Sequence, residues 1–519
     1  MSSFCTKCGN RNLNNLAKFC SKCGSAFISK SQINTNFELN NNLSYINSTL
    51  FIIPNHFKNN LEALLKKYNV QSKGIVTISN SATAFQDTKK LIRSINNLTY
   101  ICIIGTWSEI PPYKVENPAS SDHDKFCYND SLYGSVAENK TDILESIPEI
   151  LVGRIPFTDL SVVENIIFKQ YNLKKFDETF LFSVSAQCWI EASKKIFSNL
   201  INQHPKDYDL SLSNNTFKDL SKGGFFNSPD WNEKNLKRYL NNKIGIKNAL
   251  IMFNVHGGAD TTEWVGEGND KDYVEIFKPN TITDYNYSIL LTEACYGGSM
   301  DYNEQSIVEN FFQNKGLCFV GSSTIAYGSP TENICAADNI AKYFFENINQ
   351  GDCAGLALAK AKIEVLNEDP VQSDISFKTV LSFNLFGPPW IKKEVNSNSE
   401  GILNRVRNTN RENFQSSSTF LNQMRNQYRA RIPIKIRQFL IENDKKIEQI
   451  YKFKDYELIK ETITNYGFEL DKSNVKYIEN SKGKGYEIKL SEKYLNNFDK
   501  NLLIFTNIDG KVINILISK

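Results

Sequence analysis

From about residue 48 to residue 392 the chain repeats one pattern, a short apolar run of strand length followed by a longer helical segment. The runs are Leu50–Ile53, Gly74–Ile78, Tyr100–Ile104, Phe180–Val184, Ala249–Val255, Ser288–Thr292 and Leu317–Val320. Helical patterns separate them at His56–Tyr68, Asp87–Asn96, Leu160–Tyr171, Ser193–Asn202, Ile307–Gln313 and Ala336–Asn347. An unbroken apolar strand cannot turn one face to water, so both faces of its sheet must be covered, and helical connections supply that cover. The expected fold class is α/β, a mostly parallel sheet flanked by helices.

At 519 residues the chain is long enough for about three domains, and the flanks of the core differ from it in composition. Residues 1–27 hold a cysteine cluster, and 28–47 are Asn- and Ser-rich with little apolar periodicity, which reads as a linker. Residues 393–437 read as a basic linker and helical segment: in the window 391–440, ten Lys and Arg against three Glu give +7, where the whole chain carries +3. A solvated linker leading to a basic helix explains that charge, and so would a docking surface for an acidic partner, a nucleic-acid patch, or a loop cut after arginine. Residues 438–519 read as a small α+β module, with Asp509-Gly510 set between two alternating apolar runs as a hairpin turn.

In the first segment Cys5-x-x-Cys8 and Cys20-x-x-Cys23 are separated by eleven residues, and Gly9 and Gly24 follow the second cysteine of each pair. Four thiolates at this spacing close a tetrahedron around Zn²⁺ and leave no position for water, so a structural zinc ribbon that docks or folds is expected. Its basic residues Lys7, Arg11, Lys18 and Lys22 are too few to favour nucleic acid. The other seven cysteines stand singly, the opening MSSFCTKCGN has no cationic stretch leading into an apolar run, and no apolar stretch reaches the ~18 residues of a membrane span. A soluble cytoplasmic protein is therefore expected, and the Asn and Lys richness points to a bacterial source.

Two of the apolar strands end alike. NALIMFNVHGGAD runs into His256-Gly257-Gly258, and YSILLTEACYGGSM into Cys295-Tyr296-Gly297-Gly298. Neighbouring parallel strands would deliver both side chains to the carboxyl edge of the sheet, where open α/β folds place their sites. There an imidazole can take the proton of a thiol nucleophile, and the N–H groups of Gly257 and Gly258 can face the oxyanion formed when a carbonyl is attacked. The pair reads as acyl-transfer chemistry.

Strand-His-Gly followed by strand-Ala-Cys resembles the signature shared by caspases and gingipains, and further segments match the gingipain-like branch. They are ICIIGTWSEIPP (101–112), SSDHDKFCYNDSLYG (120–134), PEILVGRIPF (148–157), VGSSTIAYGSP (320–330) and NLFGPPW (384–390). The resemblance spans roughly 48–392 and implies a caspase- or gingipain-like cysteine peptidase domain with His256 and Cys295 as its dyad. It further implies an acid that steadies the histidine, Glu109 or Glu116, and an acid that selects a basic side chain. Asp122 is the best positional match for the second, with Asp124 and Asp130 close enough to compete. Trp264 matches an aromatic that either walls the pocket or packs. Gly387-Pro388-Pro389 departs from the Gly-Asp-Pro of many relatives, and calcium has no readable signature in the scattered acids.

The function expected is an intracellular endopeptidase acting on a protein substrate, cutting after Arg or Lys, and held inactive until a signal or regulatory protein partner engages the ribbon or the C-terminal module. An acidic pocket would make Arg405, Arg407, Arg411, Arg425, Arg429 and Arg431 its own cut sites. The caspase-like domains attached to helical repeats share the same motifs, but no such repeat is visible here. The alternative is a catalytically silent scaffold for protein–protein interaction.

Overall fold

The computed structural model describes residues 43–78, 84–119, 123–135, 147–169, 180–202, 223–241, 249–267, 273–302, 304–368, 374–392, 475–480, 483–489, 501–506 and 512–518. The strands of the core are β1 (Thr49–Pro54), β2 (Gly74–Ile78), β3 (Tyr100–Ile104), β4 (Tyr113–Glu116), β5 (Phe126–Asn129), β6 (Leu151–Ile155), β7 (Phe180–Ser185) and β8 (Gly223–Asn227). They continue with β9 (Ala249–Asn254), β10 (His256–Gly258), β11 (Thr261–Glu267), β12 (Tyr273–Phe277), β13 (Ile289–Thr292), β14 (Cys318–Ser322), β15 (Tyr327–Gly328) and β16 (Phe383–Phe386). The α-helices are α1 (Lys58–Lys67), α2 (Ala84–Ile92), α3 (Leu160–Glu164), α4 (Ile190–Asn202), α5 (Glu233–Leu240), α6 (Ile307–Gln313), α7 (Ala337–Asn349), α8 (Ala354–Glu368) and α9 (Asp374–Ser382).

Ten strands form one sheet in the order β2-β1-β3-β6-β16-β14-β13-β9-β7-β8. Every pairing is parallel except β14 with β16, so the sheet consists of two parallel halves running in opposite directions. In each half the chain passes from the first strand to an edge neighbour and then crosses back, from β1 to β2 and then β3, and from β7 to β8 and then β9. Each half therefore has a switch point, between β1 and β3 and between β7 and β9, and a crevice opens there at the carboxyl ends.

All six residues of β1 and of β9 are buried, as unbroken apolar runs require. Each fully buried Leu, Ile or Phe contributes ~1.5–3 kcal/mol relative to exposure, which is why these strands are central. The capping box at α6, Ser306 with Glu309, was written in the sequence as Ser-x-x-Glu. Three sheet strands lacked a clean apolar signal: β6 carries Gly153 and Arg154, β8 begins with two glycines, and β16 is four residues long. The buried lysines Lys362 and Lys378 likewise hid α8 and α9.

At the other end of the described chain, β17 (Val475–Asn480), β18 (Gly483–Lys489), β19 (Asn501–Thr506) and β20 (Val512–Ser518) form an antiparallel sheet. β19 and β20 pair antiparallel, and the expected Asp509-Gly510 turn lies outside the described residues. β20 also pairs antiparallel with β15 of the core, Tyr327 opposite Ser518 and Gly328 opposite Ile517. The zinc-ribbon residues Cys5, Cys8, Cys20 and Cys23, residues 28–42 of the expected 28–47 linker and the arginines between 405 and 431 lie outside the described residues.

Candidate active site

β9 and β13 are neighbours in register, with Phe253 opposite Thr292, and the Glu293 N–H donates to the Phe253 carbonyl at 2.8 Å just beyond the ladder. His256 and Cys295 thus leave the carboxyl edge side by side, each three residues past the last paired position. The loops touch: a Cβ built on Gly257 would lie 2.0 Å from the Cys295 carbonyl oxygen, so no other residue fits there without moving the nucleophile's backbone. Gly298 is similarly pressed on the Gly321 carbonyl, at 2.5 Å from its own Cβ position. The pairing of β10 with β11 shifts register between His256 and Gly258, which leaves Gly257 opposite no residue in the ladder.

His256 is 2% exposed, and its Nε2 lies 2.8 Å from Oε2 of Glu267 at the end of β11. A carboxylate only accepts, so Nε2 carries the proton and Nδ1 keeps the ring's lone pair. Trp189 at 4.3 Å and Tyr273 at 5.5 Å, measured between ring centroids, flank the imidazole. The acid touching His256 is therefore neither Glu109 nor Glu116. Glu109 follows β3, whose carboxyl end is at the edge of the sheet opposite to that of β9; it accepts from the Thr106 N–H at 2.9 Å and faces His56 at 3.4 Å. Glu116 is exposed on β4, opposite Phe126 of β5.

The Cys295 sulfur rests on the backbone of Ala326, whose N–H points at it from 3.4 Å. Around it Ala119, Ile325, Tyr327, Cys335, Ala336 and Ile375 form a small apolar cluster. Tyr296 holds φ +55°, a left-handed conformation that is strained for an aromatic residue and persists only where the surroundings over-determine it. Here its N–H donates to the Thr324 carbonyl at 2.9 Å and its hydroxyl to Asp124 at 2.6 Å. Tyr302 ties the two loops together, its hydroxyl donating to the Tyr296 carbonyl at 3.1 Å with the Gly258 carbonyl at 3.4 Å, and burial raises its pKa.

Asp122 lies outside the described residues. Asp124 reaches the site but is fully engaged: Lys378 of α9 donates to it at 2.7 Å and the Ile325 N–H at 2.8 Å, both on Oδ2. Asp130 is the bidentate partner of Arg154, at 2.7 Å through both nitrogens, in a fully buried pair that anchors the β4–β5 hairpin. Trp264, expected to wall the pocket or pack, does the second. It is 3% exposed and lies against Phe277 at 5.2 Å and Phe253 at 5.2 Å.

Glu267, Tyr302 and Lys378 were missed in the sequence. The signal for Glu267 was present, because HGGADTTEWVGE reads as a tight hairpin and such a hairpin returns the chain to the histidine. The resemblance implies an acid before the histidine in sequence, whereas Glu267 follows it. Chemically, a buried thiol beside a glycine-lined backbone and an imidazole oriented by a carboxylate can attack a carbonyl and move the accompanying proton.

A family model described as "Peptidase family C25" matches residues 44–393. Among solved structures, the crystal structure of the Arg specific cysteine proteinase gingipain R (RGPB) aligns at 13% identity with a TM-score of 0.48, over 67% of this chain and 79% of that one. A structure titled "Structure of Protease" aligns at 15% identity with a TM-score of 0.43, over 66% of this chain and 78% of that one. No curated protein matches the chain.

Proposed function

Since the chain belongs to peptidase family C25 and is a cysteine-type peptidase, we propose that Cys295 is its nucleophile, His256 its general base and Glu267 the positioning residue that fixes the imidazole. The single observation that supports this best is the 2.8 Å contact of His256 Nε2 with buried Glu267, which leaves Nδ1 for the thiol proton. Cys295 gives that proton to Nδ1 as its sulfur attacks the scissile carbonyl. The Ala326 N–H donates to the thiolate, and the Gly257 N–H, outside the ladder, donates to the oxyanion. His256 then protonates the leaving amine, and a water deprotonated by the same imidazole releases the acyl group from sulfur.

Cleavage after Arg or Lys is proposed to rest on Asp122. Asp124 and Asp130 are already paired with Lys378 and Arg154, and the described surroundings of the sulfur are apolar. The protein is proposed to act inside the cell, in keeping with seven described cysteines that stand outside any disulfide. The four cysteines of residues 1–27 are proposed to hold a structural Zn²⁺ in a ribbon that docks a protein partner.

Restraint by the C-terminal module is proposed to act through β20. That strand occupies the edge of β15, one residue beyond the Ala326 whose N–H faces the Cys295 sulfur, and an extended substrate would join the same edge by strand addition. Substitution Ile517→Pro removes an N–H from β20 and is expected to raise activity on short peptides several-fold. The primary test is a fluorogenic panel with Arg, Lys, Asp or Leu before the scissile bond. Cleavage after Arg or Lys, lost in Cys295→Ala, is the expected result; cleavage that survives Cys295→Ala would refute the assignment of the nucleophile.

A further inference from the structure

The mechanism leaves one side chain at the second switch point without a role. Cys188 sits in the turn Gln187–Trp189 that follows β7, and β7 lies beside β9 with Ser185 opposite Asn254. Among the described free cysteines it is the one that is not buried. Ligand atoms of Cys188, His256 and Glu267 all lie within 4.8 Å of one another. Three different elements, the β7 turn, the start of β10 and the end of β11, converge to make that set.

We propose that Cys188, His256 and Glu267 form a reversible Zn²⁺ site that switches the peptidase off. A thiolate, an imidazole and a carboxylate are the ligand types that zinc combines, whereas calcium and magnesium take oxygen alone. With metal–ligand bonds of about 2.0–2.3 Å, ligand atoms around a tetrahedral zinc lie ~3.3–3.8 Å apart, so His256 Nε2 and Glu267 Oε2, at 2.8 Å, must part slightly while the Cys188 sulfur, within 4.8 Å of its partners, draws in. Thiolate and carboxylate together balance the charge of the ion, and the Cys188 proton leaves to solvent as the Zn–S bond forms. The fourth position stays with water. The metal takes the Nε2 that the Glu267 carboxylate holds in the active arrangement, the imidazole proton passing to Nδ1 by a change of tautomer, so histidine and acid are withdrawn from their work together. Inhibition by this route rests on the reading of His256 as base; metal binding does not.

The test uses the full chain and zinc alone. Equilibrium dialysis in zinc buffers is run on wild type, Cys188→Ser and Cys188→Ala, with peptidase rates measured in parallel. Wild type is expected to bind one equivalent more than either variant, and to lose activity at zinc concentrations that leave both variants at their basal rate, with full recovery on chelation. Equal stoichiometry in all three proteins overturns the site. An extra equivalent with equal inhibition of all three overturns the switch and directs the inhibitory metal to Cys295. An extra equivalent in a protein that cleaves no peptide without zinc supports the site while refuting the peptidase reading on which its effect depends.

Discussion

The crevice between β1 and β3 and the crevice between β7 and β9 are topological counterparts, and each holds a His–Glu pair. In the first, His56 follows β1 and Glu109 follows β3, at 3.4 Å, with His56 62% exposed in its side chain. In the second, His256 and Glu267 meet at 2.8 Å with side chains 2% and 5% exposed. An exposed pair gains little because water screens it and both partners lose rotamer freedom. A buried pair has no competing water, so one tautomer and one ring orientation hold. The second half also places a cysteine on the strand next to the histidine's, as the Cys295 turn after β13; the first half has no such thiol, since His56 follows β1 and neither neighbour of β1 leads into a cysteine, β2 ending at Ile78 and β3 at Ile104. A shared winding thus makes two crevices, and burial together with one adjacent thiol separates a reactive site from a surface contact.

The largest test of that contrast removes each histidine in turn. His256→Ala is expected to lower kcat by ~10²–10⁴-fold, the usual contribution of a positioned general base, while His56→Ala stays within about twofold of wild type. Comparable losses from both would end the distinction between the crevices. Gly257→Ala comes next: its Cβ would meet the Cys295 carbonyl oxygen, and the shift of about 1 Å needed to relieve the clash is expected to cost ~10²-fold in kcat/KM. Glu267→Gln should reduce kcat by at least about tenfold and move the pH–rate profile, with partial rescue by Glu267→Asp, whereas Glu109→Gln should alter neither. A fall in stability with an unmoved profile would reduce Glu267 to a packing role.

Smaller effects concern the buried cations of α8 and α9. Lys378→Met leaves Asp124 without its ion-pair partner and is expected to cost about 3 kcal/mol in chemical unfolding. Lys362, fully buried beside Asp130 and Ser131, has its pKa lowered to about 7 by desolvation. The unfolded chain then binds more protons than the folded one between that value and the ordinary 10.5, so stability should rise as pH increases through this window. Replacing Lys362 with Met should flatten that slope in thermal melts at several pH values, and an unchanged slope would mean that the rise has another source.

How much could be read beforehand follows the same physics. Strands such as β1, β9 and β13 were legible because burial on both faces demands unbroken apolar runs, and His256 and Cys295 were legible because each stands at the end of one. β6 was obscured by Arg154, an internal cation that the sequence alone cannot distinguish from a surface one until Asp130 is seen against it. The partners of the site were hidden for a related reason. Asp124 and Lys378 are 254 positions apart, and no local pattern records which acid a buried lysine will meet. Glu267 is only 11 positions from His256 and was within reach of hairpin reasoning.

Differential alkylation of the native chain, read by mass spectrometry at each cysteine, tests the central claim most directly. Cys102 and Cys318 are fully buried, and burial raises their thiol pKa values well above the ordinary range, so they serve as internal references. Cys295 is expected to react far faster than either, and to slow sharply in His256→Ala and less in Glu267→Gln. A Cys295 that reacts no faster than Cys318, or whose rate ignores His256, would contradict the dyad.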